Sequence, residues 1–259
     1  MIQRASDAAP LAGWTVVSLR PRGQHAGLRA AAARVGAGVL ALSPLEIEPR
    51  SDAASRQALR EALDADLVLF TSPNAVRAAA TLRRLGNARG RPVLAVGDGT
   101  RRALQRLGVD AQSPTRMDSE GLLAMPALRD IDGRTIGLVT APGGRNRLAP
   151  ALRACGAEVR RADVYERTPV TIAAARWQAL ATVLATPEHV VLALSSGEAL
   201  EAMLGQRPVK LQQPLQRIAV TAASERLSQA ARAAGFRHIT IAADARPASL
   251  LRAAADAFV

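Results

Sequence analysis

Short apolar runs alternate with longer stretches of mixed apolar and polar residues along most of the chain. The stretch LVLFTSPNAV at 67–76 shows the pattern, because four apolar residues lead directly into Thr-Ser-Pro-Asn. An uninterrupted apolar run of this length predicts a buried strand. Hydroxyl residues followed by proline predict the first turn of a helix. At this point, therefore, a helix is expected to begin directly after a strand.

The same alternation predicts strands separated by helices rich in alanine and arginine. The predicted strands fall near 14–19, 37–42, 66–70, 92–96 and 109–112 in the first half, and near 134–139, 157–162, 189–194, 217–220 and 238–241 in the second. In the first half the helices fall near 23–35, 52–63, 73–85, 98–107 and 118–128. Strands joined by helical crossovers run parallel, so each half predicts a parallel sheet with helices on both faces.

The two halves of the sequence also resemble each other. FTSPNAV at 70–76 aligns with LSSGEAL at 194–200, an offset of 194 − 70 = 124, and AVGDGT at 95–100 aligns with AVTAAS at 219–224 at the same offset. Single matches at an offset of 120 begin with Leu28 and Leu148. Because the matches keep their order in both halves, they predict an internal duplication.

Two segments depart from the alternation, SPLEIEPR at 43–50 and DVYERTPV at 163–170. Both are bounded or interrupted by proline, which favours extended backbone. They occupy equivalent points of the repeat, and we interpret both as connectors.

Length and composition bound the class of protein. A chain of 259 residues with 49% hydrophobic content can form one large domain or two of ordinary size. The first ten residues lack an apolar signal region, and no apolar run approaches the roughly 18 residues that a membrane helix needs. Cys155 is the single cysteine and lies in a helical pattern, which indicates a packing role in a reducing compartment. We expect a cytoplasmic protein that does not bind membranes.

The net charge of +12 indicates an acidic partner. All but one of the 34 basic residues are arginine, they are dispersed rather than clustered, and aromatic residues make up only 2% of the chain. Few aromatic side chains are therefore available to stack on bases, which disfavours nucleic acid as the partner. A small ligand with several carboxylate or phosphate groups fits the charge better.

The segments that follow the strands supply candidate binding residues. Parallel strands end at one edge of their sheet, and ligands bind beyond that edge. A helix start there offers unpaired N–H donors to an oxyanion. Helix capping explains each hydroxyl taken singly, whereas six such helix starts at one edge favour anion binding. The candidates are Arg20, Thr71, Ser72, Asn74, Gly97, Thr100, Gly144, Arg145, Ser195, Ser196, Thr221 and Ser224.

Common catalytic motifs are missing from the sequence. His25, His189 and His238 are far apart, which argues against a metal centre or a serine triad. GDG at 97–99 is not a dinucleotide fingerprint, and no phosphate-binding GxxxxGK[ST] occurs, which weakens a nucleotide-dependent transferase as an interpretation. The only tyrosine, Tyr165, lies in a connector. It is either a packed structural residue or a proton donor to a substrate.

In their order, the motifs of this chain resemble the uroporphyrinogen-III synthase family from Val16 to Ala255. The resemblance rests on Arg-Pro at 20–21, FTSPNAV at 70–76, AVGDGT at 95–100, SEGLL at 119–123, GGRNRL at 143–148, CGAEV at 155–159, VYERTP at 164–169, LSSGEAL at 194–200 and SLL at 249–251. It implies an enzyme of haem biosynthesis that cyclises hydroxymethylbilane to uroporphyrinogen III, with inversion of the last ring and loss of water.

The resemblance also implies an architecture. Two similar α/β domains, each a flavodoxin-like or Rossmann-like parallel sheet flanked by helices, are joined by a two-stranded antiparallel linker. We expect domain 1 to combine 1–42 with 171–259, domain 2 to span 51–162, and the linker strands to be 43–50 and 163–170. The implied protein is a monomer that contacts the preceding deaminase transiently.

Roles for individual residues follow from the same resemblance. Tyr165 matches the family's linker tyrosine, with an implied catalytic role in departure of the hydroxyl. Thr100 and Ser72 match positions that offer hydroxyls to the substrate, a linear tetrapyrrole with eight carboxylates. No metal or organic cofactor is implied.

One alternative function stays open at this point. Two α/β lobes joined by two chain crossings also describe a hinged binding protein, or a sensor for a small acidic ligand. The sequence lacks a helix-turn-helix segment and an export signal, which argues against this class.

Overall fold

The computed structural model describes residues 9–86, 90–115, 119–143 and 148–259. In chain order its strands and helices are β1 Thr15–Ser18, α1 Ala26–Arg34, β2 Gly38–Ala41, β3 Leu45–Pro49, α2 Ala53–Leu63, β4 Leu67–Phe70, α3 Pro73–Leu82, β5 Val93–Ala95, α4 Asp98–Gln105, α5 Ser119–Leu123, β6 Thr135–Thr140, α6 Leu148–Ala154, β7 Glu158–Asp163, β8 Tyr165–Pro169, α7 Ala174–Val183, β9 Val190–Leu194, α8 Gly197–Leu204, α9 Gln212–Arg217, β10 Ala219–Ala222, α10 Glu225–Ala233, β11 His238–Ile241 and α11 Pro247–Phe258. Single 3₁₀ turns lie at Pro126–Leu128, Pro187–His189 and Val209–Leu211. Within the described ranges, every helix is too short or too polar to cross a membrane.

The chain divides into two compact units. Unit 1 combines the chain up to Glu46 with Thr168–Val259, and unit 2 is Ile47–Arg167. The chain passes between them inside strands β3 and β8, so unit 2 is an insertion into unit 1.

Unit 1 contains a parallel sheet in the order β11-β10-β9-β1-β2. Thr15 at the start of β1 lies opposite Gly38 of β2 and Val190 of β9. All residues of β9 are buried, as expected for the central strand of a parallel sheet that helices cover on both faces.

Alternate side chains of this sheet enter two different apolar clusters. Val17 and Leu192 belong to the cluster formed with α7, α8, α9 and α10. Val16 and Val191 belong to the cluster formed with α1 and α11. Because successive side chains of a strand point to opposite faces, these clusters are the cores on the two faces of the sheet.

Unit 2 is built in the same way around a parallel sheet in the order β5-β4-β6-β7. Val68 and Phe70 of β4 belong to an apolar cluster with α2, α3 and α4. Leu67 and Leu69 of the same strand belong to a second cluster with α5 and α6. Every residue of β4 is buried, which explains why the sequence of this strand is continuously apolar.

The two sheets share one topology. The order β5-β4-β6-β7 in unit 2 repeats the order β10-β9-β1-β2 in unit 1. Strands β4 and β9 carry the aligned motifs FTSPNAV and LSSGEAL at their carboxyl ends. This is the arrangement that an internal duplication produces, with the copies permuted so that the units do not coincide with the sequence halves.

The prediction of a strand at 109–112 is wrong. Gln112 forms only an isolated parallel bridge with Leu94, donating its N–H to the Val93 oxygen at 2.9 Å and accepting from the Ala95 N–H at 2.8 Å. Pro114 follows two residues later and has no N–H to continue the pairing. The bridge lies beside β5 where β11 lies beside β10, so unit 2 retains only a trace of the fifth strand.

The helix expected at 118–128 is shorter in the structure. Helix α5 ends at Leu123, and a 3₁₀ turn begins at Pro126. Proline at this position lacks the N–H that a continuous helix needs. Residue 118 itself lies outside the described residues.

Strands β3 and β8 form a two-stranded sheet of their own. The Arg50 N–H donates to the Val164 oxygen at 2.9 Å, and the Val170 N–H donates to the Pro44 oxygen at 3.0 Å. Residue numbers rise along one strand while their partners fall along the other, so the pair is antiparallel. The fold class predicted from the sequence, two parallel α/β bodies joined by an antiparallel linker, is confirmed.

A buried histidine connects three segments of unit 1. The Nδ1 atom of His25 lies 2.9 Å from the Ser18 Oγ at the end of β1, and its Nε2 atom lies 2.7 Å from the Ser43 Oγ before β3. Ser43 has a φ of 48°, a left-handed conformation that is costly for serine. The bond to His25 helps to hold Ser43 in this conformation.

This histidine makes the stability of the fold depend on pH. Burial lowers the pKa of His25, and the charges of Arg29, Arg20 and Arg176 lower it further. Below the unfolded-state pKa of about 6.5, the unfolded chain binds a proton here that the folded chain does not. We expect full stability above about pH 6.5 and a loss of up to about 1.4 kcal/mol per pH unit as the pH falls below it. Urea unfolding at a series of pH values measures this.

The control separates His25 from other titrating groups. His25→Gln has no proton to bind and should lose this part of the pH dependence. His238→Gln replaces an exposed histidine at the start of β11 and should keep it. The same pH dependence in the wild type and in His25→Gln would contradict the assignment.

Gly137 in β6 lies where the end of α2 approaches the sheet most closely. A Cβ at this position would lie 1.8 Å from the Ala62 backbone oxygen, a distance that only movement of the helix can relieve. Glycine is therefore required here by close packing, since the contact is with backbone rather than with a flexible side chain.

Gly137→Ala should lower the free energy of unfolding by about 1–3 kcal/mol, because α2 must move away from β6. Gly38→Ala in β2 is the matched control, since the nearest atom to its added Cβ is the Trp14 oxygen at 3.9 Å. Urea unfolding midpoints of the two variants provide the measurement. Equal effects at both strand glycines would show that the approach of α2 is not the cause.

Candidate functional site

The carboxyl end of β4 leads into α3 through two hydroxyl residues. Ser72 is the N-cap of α3, and its Oγ accepts from the Ala75 N–H at 3.0 Å, while Pro73 occupies the first turn. The Thr71 hydroxyl donates to the Thr140 Oγ1 at 2.9 Å, at the end of the neighbouring strand β6. A capping serine accepts through a lone pair, so its own O–H stays available to a further acceptor.

Tyr165 begins β8 and points its hydroxyl at this junction. Its side chain is buried, with 4% of its surface exposed, and it belongs to the same apolar cluster as Phe70 and Val164. The phenol oxygen lies 3.1 Å from the Ser72 Oγ. The ring is therefore packed in the core of unit 2 while its polar atom meets the start of α3.

Arg167 also binds the Tyr165 hydroxyl. Its Nη1 donates to the phenol oxygen at 3.4 Å, and its Nη2 donates to the Pro142 oxygen at 2.8 Å. The guanidinium carbon lies 5.9 Å from the centre of the Tyr165 ring. A guanidinium has only donors, so the phenol oxygen is the acceptor in this contact.

Arg167 was not among the residues predicted from the sequence. The signal was present in VYERTP, because residues two apart in a strand lie on the same side, which places Arg167 beside Tyr165. The chain contains so many arginines that this one did not stand out by composition.

Asn74 and Arg77 form a second polar contact in the first turns of α3. The Arg77 Nη2 donates to the Asn74 Oδ1 at 2.6 Å. Burial is the main cause that lowers the pKa of Arg77, and the charge of Arg106 lowers this pKa further. The proximity of Tyr165 raises it. A cation besides Arg167 thus lies within electrostatic range of the phenol.

The start of α4 lies beside the start of α3. A Cβ on Gly99 would be 3.7 Å from the Pro73 Cγ, which is ordinary contact distance. Gly97 is the N-cap of α4, and it has no side chain that could accept from the first N–H groups of this helix. Thr100 is buried in the first turn, and Asp98 beside it forms ion pairs with arginines of the same helix. Five predicted residues thus gather at neighbouring strand ends of unit 2: Thr71, Ser72, Asn74, Gly97 and Thr100.

The equivalent edge of unit 1 repeats the capping pattern. Ser196 caps α8 by accepting from the Ala199 N–H at 3.2 Å, and Ser224 caps α10 by accepting from the Leu227 N–H at 3.4 Å. Ser195 precedes the first cap and is half-buried. Ser196 therefore has the capping geometry of Ser72, its counterpart at the offset of 124, whereas Ser224 caps α10 although its counterpart Thr100 lies inside α4.

Two other predicted residues of unit 1 are placed differently. Thr221 is fully buried inside β10, and its Oγ1 has no hydrogen-bond partner among the described residues. Arg20 follows β1, donates to the Ala245 oxygen at 3.2 Å, and has its pKa lowered by burial. Thr221 is thus an interior residue, whereas Arg20 remains at the carboxyl edge. Gly144 and Arg145 lie outside the described residues.

Groups of three or more acidic, histidine or cysteine side chains able to hold a metal ion are absent from the part of the chain that the structure describes. The polar groups gathered around Tyr165 are hydroxyls, guanidiniums and helix N–H groups, which bind oxyanions and can donate protons.

Comparison with known proteins identifies the family. The model of the family described as uroporphyrinogen-III synthase HemD matches residues 27–252. The uroporphyrinogen-III synthase of Salmonella typhimurium is 34% identical over 200 residues, covering 73% of this chain and 78% of the relative. The Escherichia coli enzyme of the same name is 32% identical over 140 residues, covering 52% of this chain and 54% of its own.

Solved structures share the fold. Uroporphyrinogen-III synthetase from Helicobacter pylori superposes with a TM-score of 0.61 at 14% identity, covering 94% of this chain and 98% of that one. A mutant uroporphyrinogen III synthase from Thermus thermophilus gives a TM-score of 0.58 at 22% identity, covering 92% and 96%. Since the family model matches most of the chain and the Salmonella relative is similar over nearly three quarters of it, the chain belongs to the uroporphyrinogen-III synthase family, enzymes that cyclise hydroxymethylbilane in tetrapyrrole biosynthesis.

Proposed function

We propose that this chain closes hydroxymethylbilane to uroporphyrinogen III, and that Tyr165 donates a proton to the departing hydroxyl. One observation supports this role for Tyr165: its hydroxyl lies 3.1 Å from the Ser72 Oγ at the start of α3. The ring is fixed by burial, so the phenol keeps its position while the substrate binds. A proton donor held in this way assists as the carbon–oxygen bond breaks.

The substrate carries eight carboxylates along a linear tetrapyrrole, and the net charge of +12 favours its binding. We propose that the carboxylates accept hydrogen bonds from helix starts and side chains at the carboxyl edges of the strands. Ser72 supports this proposal, because its Oγ already caps α3 and its O–H remains able to donate. Except for the buried Thr221, all the candidates from the sequence are proposed to bind the substrate: Arg20, Thr71, Ser72, Asn74, Gly97, Thr100, Gly144, Arg145, Ser195, Ser196 and Ser224.

The enzyme has to control which carbon of the substrate is attacked more than it has to accelerate the reaction. Hydroxymethylbilane loses its hydroxyl readily, and unassisted closure gives the uninverted isomer. We infer that residues gripping the carboxylates hold the terminal ring so that the substituted carbon is attacked first, which gives a spiro intermediate that opens and recloses with the ring inverted.

The larger organisation is also part of this proposal. We propose two domains, 1–42 with 171–259 and 51–162, joined by linker strands 43–50 and 163–170. The division of the chain into compact units at Glu46 and Arg167, inside the linker strands, supports this assignment. We propose a cytoplasmic monomer that contacts the preceding deaminase only transiently, and the single cysteine fits a reducing compartment. Analytical ultracentrifugation should then give the mass of one chain, 27.1 kDa.

One coupled assay tests the activity. The protein is incubated with porphobilinogen and the preceding deaminase, and the product isomers are separated after oxidation. Accumulation of the inverted isomer supports the proposal. A product mixture identical to that of the deaminase alone would reject it.

Tyr165→Phe tests the catalytic role while keeping the ring and its packing. Assistance by a general acid is worth about 10²–10⁴-fold, and we expect the lower end of this range or somewhat less, because the leaving group departs readily. The loss should appear in kcat rather than in KM, since the proton matters most as the bond breaks. More uninverted isomer should form, because the spontaneous reaction competes with a slower enzyme. Wild-type turnover with only the inverted isomer would make Tyr165 a packing residue.

Ser72→Ala tests how binding is distributed among many donors. Loss of one hydrogen bond to a charged group costs about 1.5–3 kcal/mol, so we expect at most a 10- to 150-fold loss of kcat/KM, and the same limit for Thr100→Ala. Asp52→Ala is the matched control, because Asp52 caps α2 in the same unit by accepting from the Ser55 N–H at 2.8 Å. It should lose similar stability without losing activity. Complete inactivity of a folded Ser72→Ala protein would show that Ser72 is catalytic.

A further inference from the structure

Arg167 is held by two contacts that fix its guanidinium beside the phenol of Tyr165. One Nη donates to the Pro142 oxygen at 2.8 Å and the other to the phenol oxygen at 3.4 Å. The side chain is half-buried, and its guanidinium carbon, Cζ, lies 5.9 Å from the centre of the tyrosine ring. The Pro142 contact is the shorter of the two and leaves the second nitrogen aimed at the phenol.

This geometry restricts where the phenol proton can lie. Arg167 can only donate, so it occupies a lone pair of the phenol oxygen and repels the phenol hydrogen. The Ser72 Oγ, 3.1 Å from the phenol, already accepts from the Ala75 N–H. The phenol proton is therefore directed away from Arg167, towards Ser72 or towards a bound ligand.

We propose that Arg167 is a positioning residue for proton donation by Tyr165. Its guanidinium orients the phenol proton before the reaction and stabilises the negative charge on the phenol oxygen after the proton has left. Arginine suits this task better than lysine, because its planar fork binds the Pro142 oxygen and the phenol at the same time. This inference rests on the proposed role of Tyr165.

In the proposed step one proton moves from Tyr165 to the substrate, and ring closure returns one proton to Tyr165. The O–H bond of Tyr165 breaks and its proton moves to the hydroxyl oxygen of the substrate. The carbon–oxygen bond breaks with its electrons on that oxygen, so water leaves, and a pyrrole nitrogen supplies electrons to the carbon. Arg167 donates to the phenolate that remains. The proton released from the pyrrole carbon on ring closure restores the phenol.

Arg161, on the strand β7 that precedes β8 in the chain, provides a matched control. Its Nη2 donates to the Ala141 oxygen at 3.1 Å, one residue before the carbonyl that Arg167 binds, and its side chain is also half-buried. It also forms an ion pair with Asp163. Arg161→Gln therefore removes a comparable arginine that binds the same loop, while the contact between Arg167 and the phenol is kept.

The test is a double-mutant cycle of Arg167→Gln with Tyr165→Phe. Arg167→Gln alone should lower kcat about 10-fold, no more than Tyr165→Phe does, with little change in KM. In the Tyr165→Phe background, which has no phenol oxygen, the same substitution should have almost no effect on kcat. Arg161→Gln should leave kcat unchanged in both backgrounds. Arg167→Lys should recover part of the loss, since it restores a positive charge but not both contacts.

Three results overturn the proposal. An equal loss of kcat from Arg167→Gln in both backgrounds shows that Arg167 does not act through the phenol. A rise in KM alone makes Arg167 a binding residue for a substrate carboxylate. Unfolding of Arg167→Gln, with Arg167→Lys folded and fully active, makes it a structural residue. Failure of the catalytic role of Tyr165 itself is seen separately, as wild-type turnover in the Tyr165→Phe single variant.

Discussion

The structure depends on one constraint of parallel sheets: each buried strand ends where a helix begins, and the first N–H groups of that helix need an acceptor. In this chain serine side chains meet the need at the starts of α3, α8 and α10. The same constraint gathers these starts along one edge of each sheet. Hydroxyls that cap these helices therefore lie at the sheet edge where ligands bind in such folds, and they are among the residues that we propose to bind the substrate.

Tyr165 is a residue of the linker strands that also belongs to the core of unit 2. It begins β8 directly after the buried Val164, which packs in the core of unit 2 together with the tyrosine ring. Its hydroxyl meets a capping serine and an arginine, and both can donate to the same oxygen. The functional group is thus held by apolar packing on one side and by polar contacts on the other.

Much of this fold was predictable because the sequence is locally consistent. The continuous apolar run of β4 and its Ser-Pro helix start are found where the pattern places them. The segment at 109–112 was wrongly predicted to be a strand because its alternation of apolar and polar residues is typical of one. In the structure its pairing with β5 is limited to a bridge at Gln112. A single sequence does not reveal how far a neighbouring strand extends, and pairing depends on that partner.

The candidate site was less predictable than the fold for two physical reasons. Thr221 follows the pattern of a strand end in sequence, but β10 extends to Ala222 and its threonine faces the interior. Register shifts of one residue change the face of a side chain, and a sequence does not fix them. Arg167 was not predicted because one of its two acceptors, Pro142, is remote from it in sequence.

The insertion of unit 2 into unit 1 also governs the order in which the chain can fold. In unit 1, Thr15 pairs with Val190, so the sheet closes only after 190 − 15 = 175 further residues have been synthesised. Unit 2 is continuous, and its strand pairs are complete once β7 has emerged. During translation unit 2 can fold while β1 and β2, which pair with each other, still lack β9 on the other edge of β1. The topology therefore leaves one edge of β1 without a partner until the last third of the chain is made.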